Sequence, residues 1–126
     1  MRLGPVCYVA FMLATVVALA VMQNANPDKA SYLLEPCRSY IRVLEARDPT
    51  SNEADLFNAQ YCKGYFQGFT AFIGDPASSV CLGTTPLPTL VRTYLAFMAS
   101  HPKAMDEPEA TGAYAALLTA YPCPKR

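Results

Sequence analysis

The sequence has no tryptophan, a single histidine, and no two cysteines in C-x-x-C spacing. The missing C-x-x-C removes thioredoxin-type redox chemistry, c-type haem attachment and the common zinc-ribbon frameworks. No G-x-S-x-G frames any serine, so the nucleophile-elbow signature is absent as well. Net charge is also missing. Ten basic and ten acidic residues cancel, and no run of like charge occurs. That balance gives no electrostatic reason to expect nucleic acid or an anionic membrane surface as a partner. No segment alternates apolar and polar residues at strand period, and no long repeat is visible. With 126 residues there is room for one domain.

What is present begins at the N-terminus. Arg2 is followed by Pro5–Met22, an uncharged apolar run with Ala18-Leu19-Ala20 near its end. This reads as a secretory signal over residues 1–22, with cleavage after Ala20 and a second candidate site after Ala25. The competing reading is a retained anchor, since such a run just suffices to span a bilayer. Cleavage implies an exported, periplasmic protein with no membrane association of its own once the signal is gone. Cys7 lies inside the apolar run and leaves with it. Residues 23–30 are polar, contain Asn26-Pro27, and read as a flexible leader.

Cys37, Cys62, Cys81 and Cys123 then remain. Four cysteines in a small exported domain read as two disulfides, with three pairings open in principle.

The rest, residues 31–126, is expected to be an all-α bundle of about four helices. Leu33, Leu34, Cys37, Ile41 and Leu44 recur at helical spacing over 31–46, although Pro36 must either open that helix or kink it. Asp48-Pro49 makes a turn, and Thr50, Ser51 and Asn52 are candidate N-caps. A second helix is expected over 53–73. Its Phe57, Tyr61, Tyr65, Phe66, Phe69, Phe72 and Ile73 cover most of the circumference, which predicts a central helix packed on several sides. Gly64 and Gly68 share one face, where another helix is expected to approach closely and offset their cost. Gly74-Asp75-Pro76 ends the helix.

A third helix, capped by Thr85 with Pro86 and Pro88 in its first turn, carries Leu87, Leu90, Val91, Tyr94, Leu95 and Met98 to about Ser100. The last starts near Pro108 and runs through Ala110, Tyr114, Leu117 and Leu118 to Tyr121. Helices one and two form a hairpin about residue 50. Cys37 and Cys62 lie about equally far from that turn, which pairs them and leaves Cys81 with Cys123. Each closure is worth about 3–4 kcal/mol on a chain-entropy account.

No residue stands out as catalytic. His101 precedes Pro102 at a helix end and suits a cap. Asp106, Glu107 and Glu109 suit a helix N-terminus rather than a metal site. No cofactor or metal is expected, and the chain does not read as an enzyme. Binding is the default, through the loops Ala46–Asn52, Asp75–Thr85 and Pro102–Pro108, with the contact residues themselves unassigned.

The ordered set of features resembles one family. Leu33-Leu34-Glu35-Pro36-Cys37 is followed by Tyr61-Cys62-Lys63-Gly64-Tyr65-Phe66-Gln67-Gly68, which is similar to a C-x-G-Y-x-x-G core. Cys81-Leu82, then Leu90-Val91-Arg92-Thr93-Tyr94-Leu95, His101-Pro102 and Tyr121-Pro122-Cys123 complete it. Over about residues 31–123 the chain resembles the Rap/Tai-type immunity proteins, periplasmic antidotes to type VI secretion effectors. The resemblance implies a disulfide-bonded helical bundle in which Gly64, Tyr65 and Gly68 are structural. It further implies a secreted hydrolase, a cell-wall amidase in the best-studied cases, as protein partner, and a homodimer as a common state. The alternative is another periplasmic binding or acid-stress chaperone-like role without a toxin partner.

Overall fold

The computed structural model describes residues 26–46, 52–74 and 77–125. The signal run, the start of the leader, the Asp48-Pro49 turn with Thr50 and Ser51, and Asp75-Pro76 lie outside the described residues. Four α-helices make the fold: α1 (Leu34–Glu45), α2 (Glu53–Ile73), α3 (Leu87–Ser100) and α4 (Glu109–Ala120). Short 3-10 segments, Ala30–Leu33 and Pro102–Asp106, lead into α1 and α4. No strand occurs among the described residues, only two isolated bridges.

Pro36 neither opens nor kinks the first helix. The chain enters through the 3-10 turn, and Pro36 falls in the first turn of α1, where N–H groups lack partners anyway. Leu33, Leu34, Cys37 and Tyr40 are buried, whereas Leu44, expected on the same face, is exposed. α2 starts as expected: the Asn52 carboxamide oxygen accepts from Ala54 N–H at 3.1 Å, and Glu53 and Asp55 occupy the favourable first turn. Thr85 does not cap α3. Its hydroxyl donates back to the Leu82 carbonyl at 2.6 Å, and Pro86 takes the cap position, where no N–H is needed.

α1 and α2 form the expected antiparallel hairpin, and Cys37 is bonded to Cys62 across it, with Cα atoms 5.0 Å apart and both residues fully buried. Phe66 is buried against Tyr94 of α3, ring centroids 5.4 Å apart. The Tyr94 hydroxyl donates to the Ala30 carbonyl at 2.6 Å in the interior. α4 buries small residues, Gly112, Ala113 and Ala116, together with Leu117. Gly112 permits a close approach. A Cβ there would lie 2.6 Å from the Ala30 Cβ and 2.7 Å from the Met98 Cε. The packed domain takes in Asp28–Ala30 as well. Ala30 N–H donates to the Glu107 carbonyl at 2.9 Å, Glu109 N–H donates to the Asp28 carbonyl at 2.8 Å, and Ala30 is fully buried.

Candidate partner-binding surface

The loop from Ala77 to Thr85 is held at four points. Cys81 is bonded to Cys123, with Cα atoms 4.8 Å apart. Cys81 N–H donates to the Tyr121 carbonyl and Cys123 N–H to the Ser79 carbonyl, each at 2.9 Å. The Ser78 hydroxyl donates to the Ile73 carbonyl, one of the carbonyls that α2 leaves unpaired at its C-terminus. Gly83 turns the chain with φ +56°, a conformation that a side chain would strain. The C-terminal strap 121–123 and this loop therefore brace one another, and a braced loop loses little entropy on binding.

Two open grooves flank the C-terminal half of α2. One, of about 680 Å³, runs between Gln67, Thr70 and Ala71 and the loop residues Cys81 and Leu82, over Leu90. The other, of about 570 Å³, lies between Phe69 and Phe72 of α2 and Ala110, Thr111 and Tyr114 of α4. Both are lined mainly by apolar atoms, and neither brings together groups for acid–base or nucleophilic chemistry.

The expectation that α2 is packed on several sides is overturned. Its buried face is narrow: Ala59, Cys62, Phe66 and Ile73. Phe57 is 74% exposed and Phe72 82% exposed, and Tyr61 and Leu56 are exposed too. No helix of this chain lies over Gly64 and Gly68, since a Cβ at either would meet nothing within 4 Å. The face opposite Phe66 is free because α3 and α4 stack against α1 and the Ala30–Leu33 turn rather than wrapping around α2.

The sequence model of the Rap1a immunity proteins matches residues 29–123. The chain belongs to the Rap1a immunity protein family. No curated protein and no solved structure matches it. The family match spans both disulfides, and its limits coincide with structural ones. Lys29 pairs with Pro108 in an isolated bridge at one end, and Cys123 closes the second disulfide at the other.

Gly64, Tyr65 and Gly68, the triplet expected to be structural, face different ways. The two glycines face outward. Tyr65 turns inward, stacks on Phe69 at 5.8 Å and meets Phe66 edge-on at 5.6 Å. Its hydroxyl is buried without a hydrogen-bond partner, and burial, with the nearby Glu109 charge, pushes its pKa up. Glu109 itself sits half-buried at the start of α4. Burial first, and the Asp28 charge second, raise its carboxyl above the usual range.

The polar centre of the hairpin is Arg42. Its guanidinium donates to Glu35 at 2.7 Å, Asp55 at 2.6 Å and the Ser39 hydroxyl at 2.7 Å, while Ser39 donates to Asp55 at 2.8 Å. The Arg42 hydrogen bond, then the Ser39 one, holds Asp55 below the usual carboxylate range. Ser39 is fully buried, so this network satisfies a polar group that would otherwise cost free energy.

His101 is the C-cap of α3. Its ring stacks on Phe97 at 4.1 Å, and Nδ1 lies 2.9 Å from both the Phe97 carbonyl and the Ser100 hydroxyl. Among the described residues no group of three His, Cys, Asp or Glu side chains could hold a metal ion. Lys29 pairs with Asp106 at 3.2 Å, which ties the 3-10 segment 102–106 to the residues just before Ala30. Sequence reasoning missed the two grooves and took Phe57 and Phe72 for core. The available signal was spacing, since Phe57, Tyr61, Gly64, Gly68 and Phe72 step by four, three, four and four along the face opposite Phe66.

Proposed function

We propose that this chain is a periplasmic immunity protein that binds a secreted toxic effector of the cell-wall amidase class and covers its catalytic cleft. The observation that carries this reading is the family match across both disulfides. The chain does no chemistry in this account. It supplies a shape that fits a cleft and stays folded while doing so. The 77–85 loop is the favoured contact element, because it lines the 680 Å³ groove and is braced by Cys81–Cys123. An interface of this kind buries about 1,200–2,000 Å². The N-terminal signal would deliver the chain to the compartment where such an effector acts, and where the two disulfides form.

Exporting the effector to the periplasm of a test strain, with and without this chain, examines the proposal. The expected result is lysis with the effector alone and survival when the chain is exported alongside it. Survival should be lost when residues 1–22 are removed so that the chain stays in the cytoplasm. Lysis in the presence of the exported, oxidised chain would contradict the proposal.

A further inference from the structure

The two disulfides have opposite surroundings. Cys37 and Cys62 are fully buried and join two packed helices. Cys81 is exposed, Cys123 is half-buried, and their bond joins a loop to the end of the chain. Thiol–disulfide exchange requires a thiolate to reach one of the sulfurs. The first bond admits a thiolate only when the core opens, whereas the second lies at the surface of the folded molecule.

Little else holds the C-terminal strap. α4 ends at Ala120, and two backbone hydrogen bonds tie residues 121–123 to the loop: Cys81 N–H to the Tyr121 carbonyl, and Cys123 N–H to the Ser79 carbonyl. Pro122 and Pro124 flank Cys123 and have no N–H to give. The Tyr121 hydroxyl adds one contact, 3.2 Å from that of Thr93. A two-bond ribbon is marginal in water, because ordering each residue costs about as much as such a bond returns. Breaking the disulfide therefore frees the strap. The start of the loop stays in place, since Val80 is buried and Leu82 packs on the core. Cys123 lines the 680 Å³ groove, and Val80 pairs with Pro122 in an isolated bridge, so the groove loses a wall when the strap leaves.

We propose that Cys81–Cys123 is a reversible thiol switch that builds or dismantles this groove, operated by a dithiol protein of the C-x-x-C class, and that Cys37–Cys62 takes no part. A thiolate of the dithiol attacks the exposed Cys81 sulfur and forms a mixed disulfide with it. The Cys81–Cys123 bond breaks, and Cys123 leaves as a thiolate that takes a proton from water. The second thiol of the reductant, as its thiolate, then attacks the reductant's own sulfur in the mixed disulfide, and Cys81 leaves and is protonated in turn. One dithiol becomes one disulfide for each chain reduced. Exposed disulfides are in general the ones that exchange readily. The bundle survives the step, because Cys37–Cys62 and the packing of Phe66 on Tyr94 lie elsewhere.

The switch acts on the loop itself and is tested without any effector. The exported, oxidised chain is incubated with thioredoxin, kept reduced by its reductase and NADPH, and samples are quenched with iodoacetamide for peptide mass spectrometry. Cys81 and Cys123 should be labelled at least about a hundredfold faster than Cys37 and Cys62, since the core of a stable domain opens rarely. One NADPH should be oxidised per chain, with helical circular dichroism retained. In the reduced chain the Cys81 and Cys123 amides should exchange hydrogen at least about tenfold faster, and reoxidation with oxidised glutathione should restore their protection. The double variant Cys81→Ser with Cys123→Ser should show the faster exchange without thioredoxin. Labelling of all four cysteines together, or only as helix is lost, overturns the proposal. A bond that thioredoxin leaves intact overturns it, and so does a reduced chain whose Cys81 and Cys123 amides stay as protected as before.

Discussion

Replacing glycine by alanine inside a helix should have opposite effects at two places in this molecule. At Gly64 and Gly68 the added methyl meets nothing within 4 Å. Only the helix propensity term acts there, and it favours alanine by about 1 kcal/mol at each site. At Gly112 the same methyl would sit 2.6 Å from the Ala30 Cβ and 2.7 Å from the Met98 Cε. Met98 can swing its terminal methyl aside. Ala30 cannot, because its N–H is bonded to the Glu107 carbonyl and its own carbonyl receives the Tyr94 hydroxyl. Overpacking of this kind costs about 1–3 kcal/mol, which meets or exceeds the propensity gain. The midpoint of thermal unfolding, followed by circular dichroism on oxidised chain dilute enough to be monomeric, reads both. Gly64→Ala or Gly68→Ala should raise it by about 4–8 °C, and Gly112→Ala should lower it or leave it no higher than wild type. A stabilising Gly112→Ala, or a destabilising Gly64→Ala, would refute the packing on which the fold description rests.

Further outcomes follow from the polar groups and the disulfides. Tyr94→Phe removes the buried hydrogen bond to the Ala30 carbonyl and should cost about 0.5–1.5 kcal/mol in urea unfolding, whereas Tyr65→Phe removes an unpaired buried hydroxyl and should be neutral or stabilising. Glu109 has a raised carboxyl pKa when folded, so its contribution is most favourable at acid pH and is lost as pH rises through that value. Glu109→Gln should therefore gain stability at neutral pH relative to acid pH, in a pH series of unfolding midpoints. The α4 dipole opposes this by about 0.3–1 kcal/mol, so the pH dependence is the informative quantity. Asp55 has the opposite sign. Held low by Arg42, it stabilises above the unfolded carboxylate pKa and loses that contribution as pH falls through its folded value, a loss that Asp55→Asn should abolish. Replacing both Cys81 and Cys123 by alanine should cost about 4 kcal/mol on the loop-entropy account and leave the bundle helical. Replacing Cys37 and Cys62 should cost more, because those sulfurs also fill the core.

Much of the fold was legible because local signals agreed with one another. The α2 span was readable from Asn52, Glu53 and Gly74, and both disulfide pairings from the symmetry of Cys37 and Cys62 about the hairpin turn. The failures share a cause. Apolar periodicity tells which residues share a face, but not whether the chain supplies anything to cover it. Phe57 and Phe72 match core residues in composition, and their exposure follows only from where α3 and α4 settle. Leu44 fails likewise, exposed although Val43 beside it packs on the core and Glu45 pairs with Arg92. Thr85 had the right identity for a cap, but α3 begins one residue later, after Pro86, and the Thr85 hydroxyl donates back to the Leu82 carbonyl. The grooves beside the 77–85 loop arise from three segments distant in sequence, so no local pattern announces them. The Arg42–Asp55–Ser39 network was hidden for the same reason, since its members lie on two helices and meet only once the hairpin closes.

The most direct test of the central claim is a titration of the effector's own activity. A tagged, oxidised chain captures its effector from secreted proteins of the source organism and its close relatives. Hydrolysis of purified cell wall by that effector is then followed as untagged chain is added. The account predicts a linear fall to zero at one chain per effector, with no product formed by the chain alone. Hydrolysis that continues unchanged with the chain in excess would contradict it.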